Sequence, residues 1–187
     1  MQFNSSFFIF TIYFLVVRGK GSEFETTLAA KLKGASSVVV FGVGNELRGD
    51  DAAGRLVAER LKSFECGIEV KSFTVGVAPE NFTSILRELK PSHVIFVDAA
   101  DFGGCAGDVR VIGEDEIMEG VPSTHTVSLS VLAKYIRVQY GCEVIVIGIQ
   151  PKNTLFGAEV SPEVRAGVEA LVDSLKKIFS SIAPNSR

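Results

Sequence analysis

The chain has 187 residues, enough for one compact domain with an appendage and short for two full domains. Hydrophobic residues make up 47% of it and charged residues 22%, which argues against a disordered chain. Its 19 Lys and Arg against 22 Asp and Glu give a net charge of -3, and no basic run or stripe offers a footprint for nucleic acid.

Residues 1–36 read as an N-terminal extension and residues 37–187 as the main domain. Within the extension, Phe7 to Val17 is an apolar run interrupted by Thr11, too short to span a bilayer. Its basic residues, Arg18 and Lys20, follow the run instead of preceding it, the reverse of a signal peptide, so export and stable membrane insertion are not expected. Glu23 to Lys33 has helical composition. The three cysteines, Cys66, Cys105 and Cys142, are far apart and form no C-x-x-C pair, which argues against a zinc cluster or a disulfide framework and fits a reducing, cytoplasmic compartment.

From Ser37 onward, β-branched apolar runs alternate with stretches of helical period, the pattern of an α/β sheet with helices on its faces. The strand candidates are Val38–Val43, Ile68–Phe73, Val94–Val97, Asp108–Ile112 and Val144–Ile149. The first, third and last are nearly all apolar and should be central, leaving the second and fourth as edges. About ten Gly-rich residues separate Val97 from Asp108, short for a parallel crossover, so the fourth strand is expected to be antiparallel. Helices are expected after Asp50-Asp51, from Pro79-Glu80, after Thr124 or Thr126 with Gly141 closing, and from Ser161-Pro162-Glu163. The apolar positions Leu129, Leu132, Ala133 and Ile136, and Val164, Val168, Leu171, Val172, Leu175 and Ile178, fall at core spacing on the last two.

Functional groups of an open α/β sheet gather beyond the carboxyl ends of its strands. There the chain offers Asp50-Asp51 after the first strand, Asp98 and Asp101 after the third, His125 after the fourth and Gln150 after the fifth. Each has a plainer reading: one of the paired aspartates should cap a helix, Asp98 could form a turn, and His125 could cap or pack. His93, at the start of the third strand, belongs to the opposite edge and reads as structural. The Gly-rich loop places Cys105 near the site without a partner motif.

The run Gly44-Asn45-x-Leu47-x-Gly49-Asp50-Asp51-x-x-Gly54 resembles the signature of the hydrogenase-maturation endopeptidases, in particular those serving formate-hydrogenlyase hydrogenases. The resemblance continues in order through Ala78-Pro79-Glu80-Asn81, Arg87-Glu88-Leu89-x-Pro91, Val97-Asp98-Ala99-x-Asp101, Gly107-Asp108-Val109-Arg110, Ser123-Thr124-His125 and Gly148-Ile149-Gln150-Pro151. Seven runs in one order are improbable by chance. The resemblance implies a three-layer α/β/α sandwich on a mixed, mainly parallel five-stranded sheet with one antiparallel edge strand. It also implies an endopeptidase that removes the C-terminal extension of a nickel-iron hydrogenase large-subunit precursor after nickel insertion.

By the same resemblance Asp51, Asp98 and His125 are the catalytic and nickel-contacting residues, and Asp50 keeps the capping role. The nickel would be supplied by the substrate precursor, with no organic cofactor; it would either only dock the precursor or also polarise the scissile carbonyl. A monomer is expected. Ala52 departs from the Gly that often follows the aspartate pair, which implies ordinary backbone angles at this position.

Competing chemistries fit less well. There is no H-E-x-x-H or G-x-S-x-G motif, and neither aspartate lies in the Asp-Thr/Ser-Gly turn of aspartic proteases. A dinucleotide-binding oxidoreductase would use Gly42-x-Gly44, but Leu47 replaces the third glycine, Asp50 and Asp51 would repel a pyrophosphate, and the second strand ends without an acidic ribose partner. A non-catalytic nickel carrier would need the His or Cys richness that the chain lacks.

Overall fold

The computed structural model describes residues 23–113 and 126–182. Helix α1 covers residues 23–31. Strand β1 (Ser37–Val43) leads through a 3-10 turn, Gly49–Ala52, into α2 (Ala53–Leu61), and β2 (Glu69–Gly76) leads through a second turn, Pro79–Phe82, into α3 (Thr83–Leu89). The remaining elements are β3 (His93–Ala99), β4 (Val109–Ile112), α4 (Thr126–Tyr140), β5 (Glu143–Ile149) and α5 (Pro162–Ser181).

The five strands lie in the order β2-β1-β3-β5-β4, with every neighbouring pair parallel except β4 and β5. The central and edge assignments and the antiparallel fourth strand are thus as the apolar runs and the short Gly-rich link require. Alternation along the strands divides the core. Val38, Val40, Ile95, Val97, Ile145 and Ile147 face one cluster with α1, α2 and α5, whereas Val39, Phe41, Val94, Phe96, Val144 and Val146 face another with α3 and α4. Helices on both faces complete the α/β/α sandwich.

Helix α1 is integral to the first layer: Leu28 and Leu32 are fully buried, and Glu25 bonds to Ser174 and Lys177 of α5. The apolar run Phe7 to Val17 lies outside the described residues, among which no helix is long and apolar enough to cross a membrane. The expected apolar positions of α4 and α5 are all buried. Gly141, at φ 66, closes α4 by donating its N–H to Arg137.

Two strands run two or more residues past their expected ends. Strand β2 continues to Gly76 because its parallel pairing with β1 persists past a register shift between Gly42 and Val43. Strand β3 continues through Asp98 and Ala99, which pair with Gly148 and Ile149 of β5. Asp98 therefore belongs to the strand and not, as expected, to the loop after it.

Candidate active site

The order β2-β1-β3 puts a topological switch point between β1 and β3, because the chain leaves β1 through α2 on one face and reaches β3 through α3 on the other. A crevice forms beyond the carboxyl ends of such neighbouring strands. Asp51 follows β1 and Asp98 is the last residue but one of β3, so the switch point gathers two residues 47 positions apart in the sequence.

Close backbone packing holds the first of these in place. A Cβ on Gly54 would collide with the carbonyl oxygens of Val97 and Val43, so Gly at this position lets the start of α2 sit directly on the ends of β1 and β3. Gly44 has φ 129, and a Cβ there would run into the Asp51 carbonyl. The turn Gly49–Ala52 is pressed against β3 and all four of its residues are buried. Asp51 is 1% exposed, and its Oδ2 accepts the N–H of Asn45 at 3.0 Å. Asp98 is also 1% exposed, and its Oδ1 accepts the N–H of Ala99 at 2.9 Å. By strand alternation Asp98 shares the face of Val94 and Phe96, against which α4 packs. Ala52 has φ -75 and ψ -4, ordinary helical angles that need no glycine.

His125, the third expected site residue, lies outside the described residues, immediately before the first residue of α4. Among the described residues no group of three or more His, Cys, Asp or Glu could hold a metal ion.

Asp50 does not cap the helix that follows it, contrary to the sequence expectation. Neither the 3-10 turn nor α2 has a side-chain cap. The fully buried Asp50 carboxylate instead reaches across to the chain after β5. Its Oδ2 accepts the N–H groups of Lys152 and Asn153, both at 2.8 Å, and its Oδ1 accepts that of Ser161 at 2.6 Å. The Ser161 hydroxyl lies 2.9 and 3.0 Å from the two carboxylate oxygens. Ser161 is the residue before α5, so one buried charge ties the Asp51 turn to the loop over residues 151–160 and to the start of the last helix.

Gln150 is a second organiser whose role the sequence did not reveal, although it lies in the last of the seven runs. Its side-chain oxygen accepts the N–H groups of Phe102 and Gly104 at 2.9 and 3.0 Å, and its amide nitrogen donates to Asp101 at 3.0 Å. The bond from Gln150, with that from the Gly103 N–H, lowers the Asp101 pKa below the ordinary carboxylate value. Asp101 is therefore a loop anchor. Cys105 is exposed, and its backbone N–H donates to Asp108. His93 lies at the opposite, amino end of β3, buried, with Nδ1 3.0 Å from the Ser92 hydroxyl. The two buried aspartates after β1 also oppose the dinucleotide reading, since they place carboxylates at the turn before α2, where a pyrophosphate would have to bind.

The family model described as hydrogenase maturation protease matches residues 55–178. A Methanocaldococcus jannaschii chain provisionally named a hydrogenase maturation protease is 38% identical over 162 residues, covering 83% of this chain and 95% of the relative. The hydrogenase 3 maturation protease of Escherichia coli K12 is 36% identical over 139 residues, covering 74% of this chain and 88% of the relative. Among solved structures, a NiFe hydrogenase maturation protease from Thermococcus kodakarensis KOD1 superposes with a TM-score of 0.75 at 34% identity, over 83% of this chain and 99% of that one.

Proposed function

The chain belongs to the hydrogenase maturation protease family, and on that premise we propose that it removes the C-terminal extension of a nickel-iron hydrogenase large-subunit precursor after nickel insertion, recognising the substrate-borne nickel through Asp51, Asp98 and His125. The observation that supports this reading is the pair of buried carboxylates at the switch point, Asp51 after β1 and Asp98 in β3, on the sheet edge where the sequence also expects His125. Both carboxylates are 1% exposed, so a cation arriving there meets their oxygens in a poorly screened setting, where its attraction to them is strong.

Ligand chemistry gives the site its selectivity. Two carboxylates and an imidazole are harder and weaker ligands for nickel than the thiolates that hold it in the precursor, so the enzyme contacts the metal without extracting it. A precursor without the metal lacks this contact and binds weakly. Nickel borne by the substrate then completes a site that neither protein has alone, and cleavage waits for metal insertion.

The test is a paired digestion of large-subunit precursor purified from nickel-replete and nickel-depleted cells, followed by mass measurement of the product. Truncation is expected for the nickel-loaded precursor alone. Equal truncation of both samples would rule out metal recognition and leave an ordinary tail-specific peptidase.

A further inference from the structure

We propose that Leu47, Leu155 and Phe156 form a docking platform for an apolar, extended stretch of the precursor polypeptide next to the bond that is cut; this rests on the peptidase reading above. The three side chains are 55%, 69% and 73% exposed. Exposed leucine and phenylalanine side chains gathered at loop tips mark interaction surfaces more often than scattered apolar residues do. Here they belong to two loops that lie against each other, because the N–H of Gly157 donates to the Leu47 carbonyl at 2.8 Å and that of Asp50 to the Asn153 carbonyl at 2.9 Å.

Both loops are held in shape. The Leu47 N–H donates to the Asn45 side chain and the Leu155 N–H to the Asn153 side chain, each at 3.0 Å, and Ala158 donates back to Leu155 to close a turn. The Asp50 carboxylate clamps the loops together through Lys152, Asn153 and Ser161. The apolar tips are thus presented at little ordering cost to a partner.

Continuity with the site identifies the occupant. Leu47 precedes Asp51 by four residues, on the exposed loop that leads into the buried turn Gly49–Ala52, and a peptidase substrate continues on both sides of its scissile bond. A substrate chain that leaves the Asp51 edge on this side passes over the two loops that carry these apolar tips. Another exposed apolar set, Val131, Tyr135 and Val138, lies on α4, a separate element, and serves as the control.

The experiment compares steady-state cleavage of nickel-loaded precursor by the wild type, by Leu155→Ser with Phe156→Ser, and by Val131→Ser with Val138→Ser. The platform pair should raise KM by about tenfold with kcat within about twofold, as loss of uniform binding requires, and the α4 pair should match the wild type. An unchanged KM in the platform pair, or a KM rise confined to the α4 pair, overturns the proposal. If the wild type itself fails to cleave, the peptidase reading fails separately, and direct titration of the precursor still decides docking: about tenfold weaker binding by the platform pair supports it, equal binding ends it. Sedimentation of the wild type completes the test, since a dimer that the platform pair abolishes would assign the surface to a second copy of this chain. Should the serine pair lose its thermal midpoint, Leu155→Ala and Phe156→Ala made singly carry the same comparison.

Discussion

Replacing Asp50 with Ala should destabilise the fold far more than removing a helix cap does. The carboxylate accepts three backbone N–H groups, at 2.8, 2.8 and 2.6 Å, and holds the Ser161 hydroxyl besides. A hydrogen bond to a charged group contributes about 1.5–3 kcal/mol, but the values do not simply add. Lys152 and Asn153 are exposed, so water would recover much of their two bonds; Ser161 is half-buried and Asp50 fully buried, so the rest is lost. The expected net loss is about 3–5 kcal/mol, against about 1 kcal/mol for a surface cap. At roughly 2–4 °C per kcal/mol for a chain of this size, the thermal midpoint should fall by about 10 °C. Urea denaturation followed by circular dichroism, with Ser161→Ala as the control that removes the hydroxyl alone, measures this directly. A loss for Asp50→Ala no larger than about 1 kcal/mol would refute the hub and restore simple capping.

Asp51→Asn, Asp98→Asn and His125→Ala should each abolish precursor processing, and Asp51→Asn should leave the fold in place because its amide oxygen can still accept the Asn45 N–H. Full cleavage by both Asp98→Asn and His125→Ala, read by mass of the product, would show the site assignment to be wrong. Deleting residues 1–21 should leave processing intact. Deleting residues 1–36 should instead lower the urea midpoint sharply, since it removes the fully buried Leu28 and Leu32, each worth about 1.5–3 kcal/mol. Burial holds the His93 imidazole below its ordinary value of 6.5, against the opposing pull of the Lys31 carbonyl and Glu143. The unfolded chain therefore binds the proton first: stability is complete above about pH 6.5 and declines as pH falls toward the folded value. His93→Gln should flatten that decline in urea midpoints measured from about pH 7 to 5, and an unaltered slope would exclude His93 as its source.

Hydrophobic period and link length carried most of the fold. Strands nearly all apolar had to be central, a link of about ten Gly-rich residues could not house a parallel crossover, and Ser161-Pro162-Glu163 could only open a helix. These are local consequences of pattern, and the sheet order obeys them. The sequence also determined which sheet edge gathers the carboxylates, because strand direction fixes which end of each apolar run meets the crevice.

What Asp50 and Asp51 each do was decided by tertiary structure. Adjacent in sequence and equally plausible as caps, they diverge because one carboxylate meets the chain arriving more than a hundred residues later, at Lys152, Asn153 and Ser161, whereas the other meets the Asn45 N–H of its own loop. Asp98 likewise looked like a loop residue until the pairing of β3 with β5 carried the strand past it. Local propensity sees neighbours along the chain, whereas a buried charge is placed by whichever distant N–H groups the packed fold brings within reach of it.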